Sequence, residues 1–429
     1  MNIFKLAYKN IVSKPLNLLL SVILFALGIG LISFLLLVNT QIKEQFDANL
    51  AGIDLVIGAK GSPLQMILCN MYHIDAPTGN ISIQSATPFL RDGHPLIAQA
   101  IPLSLGDNYK GFRIVGTDHR FLELYNAEIW EGELWGREME VTLGKRVADQ
   151  TELKIGDTFF SSHGFIDAED MTHDHHAFRV TGILKPSGNV VDQLILTANS
   201  SVWLSHDHNG DDSASTDEHR HLPHSSDTVH YHYEDTNQRE ILLSYQDLDI
   251  TSILVKYRNR TNFQALNLPR NINENTDMQA ANPAYEINRL YAMMGTGTNA
   301  LRSLAILIAF VSAISIFIFL LKSLRERKYE LALIRVLGGS KNQLFLLVIL
   351  EGLILAVIGF VTGTLLSHGS MEILANYLKA DFRYVLTGWT WLREEWGLLL
   401  LSLLIGFIAA LIPAVGAYRT DIHETLSGQ

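Results

Sequence analysis

A long run without charge constrains this chain more than any other feature. No Asp, Glu, Lys or Arg occurs between Lys14 and Lys43, and the positions from Leu16 to Val38 are almost all apolar. As a helix that stretch is about 34 Å long at ~1.5 Å per residue, enough to cross a bilayer core of ~30 Å. A secretory leader has a shorter apolar core of ~7–15 residues and a small-x-small cleavage pattern, which Asn39-Thr40-Gln41 does not provide. A retained transmembrane helix over 16–40 is expected. Three further stretches of spanning length follow near the end of the chain, Ser303 to Leu321, Leu344 to Leu366 and Trp396 to Tyr418. Glu351 is the only charge inside the second of these, and Pro413 lies in the last.

The expected fold class is therefore membrane α-helical, with four transmembrane helices in a 1+3 topology (16–40, 301–321, 343–366 and 396–418) and both chain ends on one side. Basic residues beside the spans set the orientation. Lys5, Lys9 and Lys14 precede the first, and Lys322, Arg325, Arg327, Lys328, Arg335 and Lys341 crowd the connection between the second and third. Residues 1–15, an amphipathic segment, and 322–342 are thus expected in the cytoplasm, with 41–300 and the outer connection 367–395 on the far side. The overall charge of −11 divides accordingly: residues 42–300 carry 19 basic and 35 acidic side chains, so acidity belongs to the exported loop. That balance excludes a nucleic-acid binder working by bulk positive charge. The single cysteine, Cys69, excludes an intrachain disulfide framework or a multi-cysteine metal centre.

Within the exported loop, Gln41–Leu50 reads as a polar continuation of the first helix, and Pro283–Ala300 as a helix leading into the second span. Between them lie β-branched or aromatic runs bounded by turn residues: Gly111–Thr117, Glu138–Leu143, Phe178–Leu184, Gln193–Thr197 and Thr251–Tyr257. Gly144–Gln150 suggests a short helix, and Leu153–Asp157 a turn and another strand. A large mixed α+β extracytoplasmic domain is expected.

Residues 205–235 hold eight acidic residues, one base and His206, His208, His219, His221, His224, His230 and His232; upstream lie His163, His173, His175 and His176. Neutral imidazole is a common ligand for zinc, copper and nickel, and His-x-His pairs can bring several nitrogens to one ion. Transition-metal binding by His173, His175, His176 and the seven histidines of the insertion is one reading; a solvated acidic linker is the other. Cys69 and His73, four apart, either share a metal or are a buried thiol and a hydrogen-bonded core histidine, the second being the simpler reading. Glu351, the one ionised group within a span, is either functional or an interface residue of the helix bundle.

The segment Glu326-Arg327-Lys328-Tyr329-Glu330-Leu331-Ala332-Leu333-Ile334-Arg335-Val336-Leu337-Gly338-Gly339-Ser340 places Leu331, Ile334 and Leu337 on one apolar stripe before a double glycine ends the helix. With the span after it, this segment resembles the C-terminal permease domain shared by the FtsX-like and MacB-like ATP-binding-cassette transporters. Pro413-Ala414-Val415-Gly416-Ala417-Tyr418-Arg419-Thr420-Asp421 resembles the family's closing motif, with Ile422 where proline is usual. Leu6-Ala7-Tyr8-Lys9-Asn10-Ile11 resembles its opening. The resemblance implies a permease that dimerises with a second copy and engages a cytoplasmic ABC ATPase through a coupling helix containing Arg327, Glu330, Arg335 and Gly338. It also implies transmission of ATP-driven movement to a MacB-like periplasmic domain, in a bacterial inner membrane.

No G-x-x-x-x-G-K-[ST] phosphate loop occurs; Gly58-Ala59-Lys60-Gly61-Ser62 lacks the spacing. ATP use is therefore expected in a separate subunit, this chain needing no cofactor of its own and having no recognisable nucleophile and base. Membrane lipid and a periplasmic protein are the other expected partners. Mechanotransmission with a link to zinc or another transition metal is the leading expectation; an FtsX-like signalling permease acting on an envelope hydrolase, and a lipoprotein-release permease, stand beside it.

Overall fold

A computed structural model describes residues 3–13, 15–161, 177–205, 238–378 and 386–419. Helix α1 (Ile3–Val12) ends three residues before Pro15, which opens α2 (Pro15–Asn49). Proline lacks an N–H and fits the first turn, where none is needed, so it starts one helix where it would have broken another. Helix α2 is continuous through Gln41–Asn49, as the polar continuation of the first span predicts.

The chain then forms β1 (Leu55–Ala59), α3 (Pro63–Met71), β2 (Ile81–Ser82), α4 (Ile83–Leu90), β3 (Ile97–Tyr109), β4 (Phe112–Gly116), α5 (Arg120–Leu124), β5 (Ile129–Gly132), β6 (Glu140–Leu143), α6 (Lys145–Thr151), β7 (Thr158–Phe159) and β8 (Phe178–Leu184). After a 3-10 turn at Val190–Gln193 come β9 (Leu194–Thr197), α7 (Asn199–Ser205), α8 (Gln238–Ser244), β10 (Asp249–Ile250), β11 (Ser252–Tyr257), α9 (Phe263–Asn275) and β12 (Met278–Ala281). Helices α10 (Pro283–Glu326), α11 (Lys328–Val336), α12 (Lys341–Leu378) and α13 (Glu394–Tyr418) complete the chain. It divides into two units, Gln45–Tyr291 and the union of Met1–Glu44 with Ala292–Gln429.

The Gln45–Tyr291 unit is built on one mixed sheet with strand order β12-β1-β11-β3-β4-β9-β6-β8-β5, β7 also pairing with β8. Strand β3 serves two halves. Its first part, up to Leu103, pairs with β11 and its last part, from Ser104, with β4; within the β4 pairing the register shifts between Leu105 and Asn108. On one half Leu55, Ile57, Ile253 and Val255 pack with α4 and α9; on the other Ile114, Val141, Val180 and Ile195 pack with α6. The five expected runs all contain strands. The turn expected within Leu153–Asp157 forms, with Gly156 at φ +93° and the Asp157 carboxylate accepting the Lys154 N–H at 2.9 Å, and the strand after it begins at Thr158.

In the other unit, α2, α10, α12 and α13 are each long and apolar enough to cross a membrane. Phe25, Ile29, Ile316, Leu320, Leu355, Phe360 and Ala410 lie in their shared core. Lipid tails are as apolar as leucine, so close backbone approach at small residues holds such helices together. A Cβ on Gly352 of α12 would stand 2.6 Å from the Ala410 Cβ and 2.8 Å from the Gly406 carbonyl oxygen of α13. Gly30 of α2 meets the Gly363 carbonyl oxygen in the same manner, at 2.9 Å.

Two boundaries differ from expectation. Residues 322–326 belong to α10, so the separate cytoplasmic helix is shorter than 322–342. Helix α12 runs on to Leu378, through the first part of the expected outer connection. Polar residues end a span but do not end a helix, and no proline interrupts either extension.

Candidate functional site

Helix α10 stops at Arg327, whose φ of −109° and ψ of 17° leave the helical region. Its guanidinium turns into the bundle, where one Nη2 donates to both oxygens of Glu351 at 2.9 and 3.1 Å. The same carboxylate accepts the Asn10 side-chain amide at 2.9 Å. Glu351 is 2% exposed and Arg327 8%. One carboxylate on α12 thus joins α1 to the junction of α10 and α11. In a poorly solvated site such a pair is held by its mutual attraction and hydrogen bonds, and either partner alone would be a buried, uncompensated charge. For Glu351, this is the bundle-interface reading. Arg327, expected on the coupling surface, is a buried anchor at its root.

Helix α11 leads away from that anchor. Leu331 and Ala332 are buried, and Ile334 packs against the bundle core from a half-buried position. Leu337, expected on the same stripe, is 80% exposed, because the helix has already ended at Val336. A Schellman turn closes it: the Gly339 N–H bonds to the Ile334 carbonyl at 2.9 Å and the Gly338 N–H to that of Arg335 at 3.1 Å. Gly338 supplies the φ of +98° that this turn requires. Helix α12 then opens with a reciprocal capping box, Ser340 N–H to the Gln343 side chain at 2.9 Å and Gln343 N–H to Ser340 Oγ at 3.2 Å. The Ser-x-x-Gln spacing would have been a sufficient signal for this cap; nothing in the sequence marks Asn10 as a partner of Glu351.

The outward face of α11 carries a second apolar row. Tyr329, Leu333, Val336 and Leu337 are exposed, beside the exposed charges Lys328 and Glu330; Arg335 is half-buried. The segment is therefore a short helix anchored on one face, closed at its C-terminal end, and apolar on the face turned away from the bundle.

The candidate metal ligands His173, His175, His176, His206, His208, His219, His221, His224, His230 and His232 lie outside the described residues. On either side of the 206–237 segment the chain is firmly held: the Trp203 indole donates to the Asp249 carbonyl at 2.8 Å, and the Gln238 side chain accepts the His119 N–H at 3.1 Å. Cys69 and His73 are both buried, but α3 ends at Met71 and His73 has φ +53°, so they do not share a helical face. The Cys69 sulfur instead accepts from Arg113 at 3.4 Å. Burial pushes its pKa up, and the Arg113 charge and hydrogen bond offset part of that. Among the described residues no group of three or more His, Cys, Asp or Glu is placed to hold a metal ion.

Comparison with known families gives two matches that together run through nearly the whole chain. Residues 18–267 match the MacB-like periplasmic core domain, and residues 302–422 match the FtsX-like permease C-terminal domain. The chain belongs to the MacB/FtsX-type family of ABC-transporter permeases. It is accordingly a multi-pass inner-membrane protein with the Gln45–Tyr291 unit in the periplasm, and in this family the permease works with a cytoplasmic ABC ATPase. Two solved structures are similar to it. The periplasmic region of MacB from Actinobacillus actinomycetemcomitans has 12% identity, covering 56% of this chain and 95% of the other, with a TM-score of 0.32. The extracellular domain of the noncanonic ABC-type transporter YknZ from Gram-positive bacteria has 11% identity, covering 54% and 99%, with a TM-score of 0.28. No curated protein matches the chain significantly.

Proposed function

We propose that this MacB/FtsX-type permease is the membrane subunit of a mechanotransmission transporter, in which a separate ATPase subunit docks on α11 and its ATP-driven movement is passed to the periplasmic domain. The exposed row Tyr329, Leu333, Val336 and Leu337 carries the reading. Tyr329, Leu333 and Val336 stand on a helix whose other face is fixed to the bundle, with Leu337 just past its end, so a push on the row is borne by α10, α12 and α1 together through Arg327, Glu351 and Asn10. Rigid connection at the root is what a lever needs. The charges Lys328 and Glu330 at the edge of the row suit the polar rim of a protein interface. A second copy of the chain completes the assembly.

The test is reconstitution of the full permease with its cognate ATPase. Leu333→Asp is expected to abolish co-purification and the permease-dependent part of ATP hydrolysis, leaving the permease folded. Retention of both with a charge at that position would remove α11 as the docking element.

The histidine-rich tract supports a further step, a link to zinc or another transition metal in the periplasm. The full chain is expected to retain zinc or copper in equilibrium dialysis near neutral pH, and a chain lacking residues 206–235 to retain less. Equal retention by both, or none by either, would refute that link.

A further inference from the structure

Far along α12 from Glu351 lies a second buried polar cluster that the proposed function does not use. The Glu395 carboxylate, in the first turn of α13, is wholly buried. Its Oε1 accepts the Ser33 hydroxyl of α2 at 2.9 Å and lies 2.8 Å from Nε2 of His368 on α12. Its Oε2 accepts the Leu392 N–H at 3.1 Å. The other ring nitrogen of His368, Nδ1, is 2.5 Å from the Gly388 carbonyl oxygen. Three helices and the turn before α13 therefore converge on one carboxylate and one imidazole.

Proton counting decides what this arrangement contains. A carbonyl oxygen only accepts, so Nδ1 carries a hydrogen. A neutral ring with its hydrogen on Nδ1 presents a bare lone pair at Nε2, and an ionised carboxylate 2.8 Å away would present another. Two lone pairs facing each other out of water is an unsatisfied and repulsive contact. One further proton between Nε2 and Oε1 removes the conflict, whether it resides on the ring or on the carboxyl, and leaves the pair with no net charge. We infer that His368 and Glu395 bind one shared proton, and that this protonated bridge is a positioning element tying α2 to α12 and α13 at their periplasmic ends.

The surroundings fit that role. On α12, Glu372 accepts the Gly388 N–H at 2.9 Å and so holds the same turn. On α2, the neutral Gln41 donates to the Thr387 carbonyl at 2.7 Å and accepts the Thr387 N–H at 2.9 Å. Trp391 stacks on the His368 ring at 5.8 Å between centroids. Arg393 and Glu394, at the start of α13, are exposed. Without the shared proton the pair would be a buried net negative charge beside Glu372, with, among the described residues, hydroxyl, amide and backbone groups directly against it.

The test uses the full chain in lipid nanodiscs, with isotope-labelled histidine and glutamate and the variants His368→Gln and Glu395→Gln to assign the magnetic-resonance signals. Either variant suffices for the ring or the carboxyl if the other does not fold. At neutral pH we expect an imidazolium beside an ionised carboxylate, or a singly protonated ring facing a protonated carboxyl. His368→Gln, measured at the same neutral pH as the native chain, is expected to speed amide exchange in residues 386–393 and in α2 between Ser33 and Gln41 by about ten- to a hundredfold, the factor carried by one charge-assisted hydrogen bond. A neutral ring beside an ionised Glu395 at neutral pH overturns the inference, as does unchanged exchange in the folded variant.

Discussion

Replacing Glu351 with glutamine changes little in shape and removes the charge that Arg327 needs. The carboxylate accepts three hydrogen bonds, two from Arg327 at 2.9 and 3.1 Å and one from Asn10 at 2.9 Å, and it is 2% exposed. Removing one partner of a buried pair costs about 3–5 kcal/mol, because the other is left charged and unpaired. Arg327 sits where α10 ends near the cytoplasmic surface and has a long side chain that can turn toward water, so about 2–4 kcal/mol is expected for Glu351→Gln. The Arg327→Met, Glu351→Leu double variant should recover much of that loss, since a hydrophobic pair of similar volume avoids the desolvation penalty. The two variants separate global stability from local anchoring: the double variant is expected to unfold close to the native chain while α11 is cleaved faster, because Asn10 has lost its acceptor and α11 its anchor. The assay is reversible unfolding of the full chain in mild detergent, paired with protease cleavage within α11. A cost below about 0.5 kcal/mol for Glu351→Gln, with unchanged cleavage, would show that the pair does not hold α11.

Other substitutions probe the rest of the fold. Gly352→Val is expected to destabilise the bundle by about 1–3 kcal/mol through overpacking against Ala410 and Gly406, whereas Gly397→Ala, with nothing near its added Cβ, should stay within about 0.5 kcal/mol of wild type; equal effects in thermal unfolding would argue against the close approach. The Tyr257 hydroxyl is buried without a hydrogen-bond partner among the described residues, and burial, with Asp54 adding to it, pushes its pKa up to about 12. The folded state thus holds this proton more tightly than the unfolded chain. Its contribution is fully present below the ordinary tyrosine pKa of about 10 and is lost as pH rises toward 12. Tyr257→Phe should be neutral or mildly stabilising at pH 7 and should flatten the alkaline decline in melting temperature; an unchanged decline refutes the assignment. Cys69, its thiol pushed up by burial, should resist alkylation in the native chain and react at an ordinary rate once unfolded; native labelling at the unfolded rate would contradict its burial.

Much of the architecture follows from pattern alone. Absence of charge over Leu16–Val38, and over the three later stretches but for Glu351, dictates membrane helices, because an unpaired charge has no cheap place in hydrocarbon. Alternating β-branched runs such as Phe178–Leu184 mark strands, and Gly338 marks the end of α11, because few other residues adopt φ +98°. Less was legible where function and packing meet. Leu337 fits the helical stripe on paper but lies past the helix end.

The sequence by itself determined the number of spans, their orientation, the place of the exported domain and the family, since each depends on composition or on residues close together in the chain. Tertiary structure alone decided the partners of the buried charges. Asn10 and Glu351 are 341 positions apart and Ser33 and Glu395 362, and hydrogen bonds between such residues exist only after the helices have packed. The same packing turned Arg327 from an expected surface contact into a buried anchor, because the carboxylate that attracts it sits on another helix, at a height no local pattern records.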